Sequence, residues 1–255
     1  MRVDIVAMKS FYESPLGEAA ARQLARAVAE FWPNLAGERV VGIGYPPPVL
    51  EPIMAESGAE RTVALMPASQ GAWAWPAEGP SATAMMRERQ LPLADRSADR
   101  ILLLHALEDV ASAPAFLREI WRVLTDSGRV LAIAANRRGL WCRADSAPFG
   151  HGRPYSLTQL RNAMRAATFA VEQEAHALYL PPNRRALSIW PADAAERFGR
   201  RWLPRFGGVV MVEASKNLYG AATPQGARAS RRQVVAASAA VERRRPKATL
   251  ERDGG

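Results

Sequence analysis

Residues 91–136, LPLADRSADRILLLHALEDVASAPAFLREIWRVLTDSGRVLAIAAN, decide the architecture. Ile101–Leu104 is an unbroken apolar run, as expected of a strand covered on both faces. Phe116, Leu117, Ile120 and Leu124 then recur at helical spacing, with Arg118, Glu119 and Arg122 on the opposite side. Asp126-Ser127-Gly128 is expected to end that helix in a turn, and a second apolar strand runs from Arg129 to Ala135. Strand, helix and strand in so short a span form a right-handed parallel crossover.

Working outward, similar units flank this one. Ser14 and Pro15 predict a helix start, and Leu24, Val28 and Phe31 share one face up to the stop at Trp32-Pro33-Asn34. Arg39–Gly44 (RVVGIG) reads as a buried strand, followed by Tyr-Pro-Pro-Pro and a helix over about 49–57. Arg61–Met66 is a second strand and Ala82–Arg87 a third. After the irregular segment Arg137–Pro154, Ser156 caps a helix to about Ala167. Phe169–Leu180 reads as a strand, Leu187–Phe198 as a helix extending toward Trp202, and Gly208–Ala214 as the last strand. The expectation is an α/β fold: a three-layer, doubly wound, mostly parallel seven-stranded sheet, Rossmann-like, with helices between the first five strands and an antiparallel last strand. Ligands of such sheets bind beyond the carboxyl ends of the strands, beside strand one.

The chain has 255 residues, 48% hydrophobic, with a net charge of +9. Residues 221–255 hold eight Lys/Arg against three acids, a net +5, which leaves +4 for the body. We read 1–37 as a helical cover, 38–220 as the α/β domain and 221–255 as a basic tail, disordered or transiently helical. Such a tail suits contact with an anionic surface, whereas the body lacks the zinc spacing or aromatic-basic platform of a nucleic-acid binder. A single cysteine, Cys142, excludes an intramolecular disulfide and supplies no metal cluster. With no run approaching about 18 apolar residues and no secretory signal pattern, a cytoplasmic chain without a transmembrane segment is expected.

Leu91-Pro92-Leu93-x-Asp95-x-Ser97-x-Asp99 before one strand, and Phe116-Leu117-x-Glu119-x-x-Arg122-Val123-Leu124-x-x-x-Gly128 before the next, resemble the class I S-adenosylmethionine-dependent methyltransferases. The resemblance is to their small-molecule and lipid branch, the type 11-like methyltransferases, and spans roughly Glu38–Ser215. It implies an S-adenosylmethionine-dependent methyltransferase acting on a small-molecule or lipid-like acceptor. The alternative is a non-catalytic scaffold or regulatory module on the same fold. Under the resemblance, Gly42, Gly44, Tyr45, Met66, Pro67, Glu88, Leu91 and His105 border the cofactor, and His105, facing the methyl-bearing sulfonium, is the candidate base. Trp141, His151 and Tyr155 border the acceptor.

Set against the family pattern, Gly42 holds the place of the acid that ends strand one, and Pro46 and Pro48 replace two glycines of the following loop. Proline offers no N–H to a carboxylate. Strand two ends in Met66-Pro67 where an acid would hold the ribose, an interaction contributing about 1.5–3 kcal/mol; Ser69 or Gln70 is the nearest substitute. The nearby Asp99 reads as a capping residue. Because the leaving group is a sulfonium, methyl transfer rests on alignment, which can supply about 7–11 kcal/mol of barrier reduction without a strong base.

Overall fold

The computed structural model describes residues 3–183 and 191–216. Two helices lead in, α1 (Ile5–Tyr12) and α2 (Pro15–Phe31). The α/β units follow as β1 (Arg39–Gly44), α3 (Pro47–Ser57), β2 (Arg61–Pro67), β3 (Thr83–Met86), β4 (Ala98–Leu104), α4 (Ala113–Val123) and β5 (Leu124–Ala135). After two short 3-10 turns come α5 (Leu157–Ala166), β6 (Phe169–Ala177), α6 (Ala192–Trp202) and β7 (Val209–Lys216). The sheet order is β3-β2-β1-β4-β5-β7-β6. Pairings from β3 through β5 are parallel, and β7 is antiparallel to both neighbours, as the sequence predicts.

Alternation along the buried strands explains their unbroken apolar runs. Leu102, Leu104, Leu131 and Ile133 face a layer made by α2, α3 and α6, with Leu24, Val28, Leu50 and Ala195 in its core. Ile101, Leu103, Val130 and Ala132 face the opposite layer, where Phe116, Leu117 and Ile120 of α4 meet Leu160 and Met164 of α5. Each face of the sheet therefore has its own core.

The structure departs from the sequence reading in three places. Helices connect β1 to β2 and β4 to β5, but β2–β3 and β3–β4 are joined by loops. The β2–β3 loop spends its apolar residues on α1, packing Trp75 with Met8 and Tyr12. Asp126-Ser127-Gly128 lies inside β5, because the ladder begins at Leu124, paired with Ala98 through an irregular register. Third, β6 stops at Ala177 and α6 begins at Ala192. Residues 184–190, where Leu187–Trp190 of the expected helix fall, and the tail from 221 onward lie outside the described residues.

Asp99 ties the bottom of the sheet. It accepts from the Arg39 Nε at 2.8 Å, the Arg39 backbone amide at 3.1 Å and the Thr125 hydroxyl at 3.0 Å. The Arg39 guanidinium holds its carboxyl at about 2, below the usual range. A depressed acid stabilises the fold above its unfolded pKa, and that stabilisation is lost as pH falls through the folded one. Asp99→Asn should therefore cost about 2 kcal/mol at neutral pH. In denaturant titrations it should also flatten the acid limb between pH 4 and pH 2.

Candidate cofactor cleft

The crevice beyond β1, β2 and β4 is where a doubly wound sheet binds its ligand, and here it is lined from inside. Gly44 ends β1 with φ +101, and a Cβ there would lie 2.0 Å from the Leu104 carbonyl oxygen. Only glycine permits this approach. It lets the Tyr45 amide donate to that carbonyl at 2.9 Å, so the loop's first amide is spent within the protein. Tyr45 is buried and stacked against Tyr12 at 5.6 Å between ring centroids.

The residue after β4, His105, is 5% exposed and sits at φ +53, the left-handed region. Its Nε2 lies 2.7 Å from the Tyr12 hydroxyl. Phe149 covers it at 4.5 Å, and Trp141 and Phe11 continue the aromatic cluster edge-on. Burial pushes the imidazole down to about 3, so it is neutral at physiological pH and cannot retain a proton taken from an acceptor. Tyr12 itself is pushed well above the ordinary phenol range by the same burial.

At the end of β2, Met66 is fully buried with Met8, Tyr12, Tyr45 and Trp75. The Trp73 amide donates to its sulfur at 3.4 Å. Helix α1 is fastened across this edge: the Ile5 amide donates to the Gln70 carbonyl at 3.0 Å, Asp4 caps the first turn, and the Lys9 ammonium lies 3.8 Å over the Trp73 ring. A hollow of about 400 Å³ remains outside this stack. Tyr12, Tyr45, Trp73, Trp75, Lys9 and Glu51 line it, whereas Gly44, Met66 and His105 do not.

The other expected residues are placed as follows. Pro67 is buried at the end of β2. A Glu88 oxygen accepts from the Ala111 amide at 3.1 Å, in the approach to α4. The amide of Leu91, expected to border the cofactor, donates to Glu119 at 3.0 Å. Trp141 is buried, its indole N–H donating to the Leu180 carbonyl. His151 bonds the Asp145 carbonyl at 3.0 Å, and the Tyr155 hydroxyl donates to Leu107 at 3.4 Å. Gly42 departs most from the family pattern, since a Cβ there would meet Pro46 at 2.4 Å and Leu50 at 2.6 Å. The backbone therefore has no room for the acid that the pattern wants.

As it stands, this site does not fit an adenosyl cofactor. Tyr45 and His105, which would touch it, pack on Tyr12 instead, Gly42 cannot become an acid, and Pro46 and Pro48 donate nothing. Two buried groups nevertheless remain unspent in the β2–β3 loop: the Gln70 carboxamide and the Trp75 indole N–H have no hydrogen-bond partner. Among the described residues no group of His, Cys, Asp and Glu could hold a metal ion.

The sequence suggests Tyr12, with Phe11 and Leu16, only as a cover over the cofactor, and sequence reasoning missed Glu108. Glu108 follows His105 by three residues and is buried, one oxygen accepting from the Ala135 amide at 2.9 Å and the other without a partner. Burial pushes its carboxyl up to about 7. A buried acid raised in the folded state destabilises the fold as pH rises from its unfolded value through the folded one. Stability should fall by about 3 kcal/mol between pH 4.5 and pH 7 from this group alone. Glu108→Gln should remove that slope in urea titrations, and Tyr12→Phe, which strands the His105 nitrogen, should cost about 1–3 kcal/mol.

Comparison with known proteins agrees with the topology. Residues 27–132 match the family model described as a methyltransferase domain. No curated protein sequence matches the chain. A Haloferax volcanii putative methyltransferase, solved in complex with the Trm112 methyltransferase activator, superposes with a TM-score of 0.57 at 19% identity, covering 83% of this chain and 94% of that one. A Thermotoga maritima SAM-dependent methyltransferase, possibly a histamine N-methyltransferase, gives 0.56 at 17% identity, covering 82% and 94%. Geranyl diphosphate methyltransferase in complex with GPP and sinefungin gives 0.54 at 16% identity, covering 85% and 87%. This chain thus has the class I S-adenosylmethionine-dependent methyltransferase fold, and its residues 27–132 are similar to the methyltransferase domain family.

Proposed function

We propose that this chain uses the methyltransferase fold as a non-catalytic scaffold or regulatory binding module. The observation that carries this reading is the Tyr12–His105 hydrogen bond beneath the Tyr12–Tyr45 stack. It would span the position that the resemblance assigns to the cofactor's methionine and sulfonium, using the protein's own side chains. The chemistry of the loops points the same way, with no carboxylate at Gly42 or Met66 and no N–H at Pro46 or Pro48. Fold and function are separable, because function resides in the site. A module of this kind acts through its outer surfaces, and protein partners are a natural class for it.

A second reading is favoured by the domain match and by Gln70. It is an S-adenosylmethionine-dependent methyltransferase with a small-molecule or lipid-like acceptor, whose cleft opens when α1 lifts. The unspent Gln70 carboxamide, three residues beyond β2, would then offer a donor and an acceptor where the family places its ribose acid. Gly44, Tyr45, Met66, Pro67, Glu88, Leu91 and His105 would border the cofactor, with Gly42 behind them. Trp141, His151 and Tyr155 would border the acceptor. The bound cofactor would supply an activated methyl group. The protein's share would be alignment, since a neutral His105 makes a poor base.

Calorimetric titration of the full chain with S-adenosylhomocysteine separates the two. The first reading expects no binding at millimolar ligand for the natural chain and none for Tyr12→Ala. Binding by Tyr12→Ala alone would establish a gated cofactor site, and micromolar binding by the natural chain would overturn the module reading outright.

A further inference from the structure

The turn between α6 and β7 departs from an ordinary protein surface. Arg201-Trp202-Leu203-Pro204-Arg205-Phe206 is six consecutive exposed residues. Trp202 is 69% exposed, Phe206 56% and Leu203 46%, and Leu140 of the loop after β5 adds a fourth apolar side chain at 58%. Leaving such groups in water forfeits the free energy that burying them would supply. Clustered apolar exposure of this kind marks an interaction site.

The tip is held rigid rather than merely left out. The Tyr179 hydroxyl donates to the Pro204 carbonyl at 2.8 Å, and the buried Asn136 carboxamide donates to the carbonyls of Arg205 at 3.1 Å and Gly207 at 2.7 Å. The tip's backbone is thereby turned inward and satisfied, which leaves its side chains projecting. Behind them lies an apolar cleft of about 390 Å³, bordered by Leu140, Pro181, Leu203 and Phe206, with Arg138 at its edge.

The charge around the tip has one sign. Arg138, Arg201 and Arg205 make no ion pair among the described residues, whereas the acids of α6 are spent elsewhere. Glu196 accepts from the Leu178 and Tyr179 amides and pairs with Arg200, and Asp193 pairs with Arg26. Trp and Arg together suit a membrane interface, where the ring lies at the headgroup level and the cation meets phosphate. Leu203, Leu140 and the apolar cleft give an acyl chain somewhere to go and a nucleobase nothing to bond.

We propose that the tip Arg201–Phe206, with the apolar cleft behind it, is a docking face for an anionic lipid bilayer, entered by Trp202, Leu203 and Phe206 and held by Arg138, Arg201 and Arg205. No helix among the described residues is long and apolar enough to cross a membrane, and the contact proposed is a peripheral one. Apolar insertion and headgroup attraction act together in such contacts. The inference is independent of whether the cofactor cleft opens.

The test is co-sedimentation of the full chain with phosphatidylcholine vesicles, with and without phosphatidylglycerol. Binding should require the anionic lipid and weaken in high salt. Trp202→Ala/Phe206→Ala should reduce partitioning at least ~10-fold with an unchanged melting temperature, the positions being exposed. Arg201→Glu/Arg205→Glu, which leaves the apolar groups in place, should do the same and serves if the first variant folds poorly. Absence of binding to anionic vesicles would overturn the proposal, as would equal binding to neutral ones. Variants that bind like the natural chain would also overturn it and assign the association to the basic residues beyond 221. Self-association through the tip without lipid binding would assign the face to a second copy instead.

Discussion

The hydrogen bond between the Tyr12 hydroxyl and His105 Nε2 connects a helix outside the sheet to the carboxyl end of its central strand, 93 residues further along the chain. Much of the site's geometry follows from it. His105 adopts a left-handed backbone conformation that ordinary side chains avoid, and persists there because Tyr12 and Phe149 fix its ring from two sides. Tyr45 stacks on the far face of Tyr12, made possible by the glycine that lets strand β1 close against Leu104. Met66 and Trp75 complete the packing. A region that a doubly wound sheet ordinarily leaves open to ligand is here an aromatic core of its own.

This arrangement separates two things that the family usually combines. The scaffold retains the strand order, the crossovers and the helical layers of a methyltransferase, and residues 27–132 match its domain. The local chemistry has been redirected inward: Glu119 takes the Leu91 amide, Leu104 takes the Tyr45 amide, and Glu88 takes the Ala111 amide. Burying unpaired polar groups costs about 1–3 kcal/mol each, and the unpaired Gln70, Trp75 and Glu108 atoms lie in the loops that follow β2 and β4. The closed packing around Tyr12 is extensive enough to hold despite them.

The scaffold was legible because it rests on periodicity and punctuation. RVVGIG and RILLL announce buried strands, Ser14 and Ser156 cap helices as their positions suggest, and Gln159 completes a capping box. The β2–β3 connection was not legible, because Trp73, Trp75 and the nearby prolines carry no helical period and their packing partner is α1. Glu213 was hidden for a similar reason. Inside the apolar run GVVMVEA it is fully buried, and its partners Trp32 and Arg129 come from distant positions. At the site, the substitutions at Gly42, Pro46, Pro48 and Met66 were readable residue by residue. What filled the resulting space was only partly readable: Tyr12 is expected to cover the cofactor, but nothing local in its sequence signals the bond to His105, 93 residues away.

The closure and the projecting turn after α6 describe a molecule whose unusual chemistry has moved from its crevice to its surface. The closure is the claim on which the functional reading turns, and it has a direct spectroscopic signature in His105. A nitrogen-15 NMR titration of the labelled chain should find the His105 ring neutral from about pH 5 to pH 8, one nitrogen shifted by its hydrogen bond to the Tyr12 phenol. An imidazole that titrates near its unperturbed value of ~6.5, with a shift unaffected by Tyr12→Phe, would mean the crevice is open to water and would contradict the account.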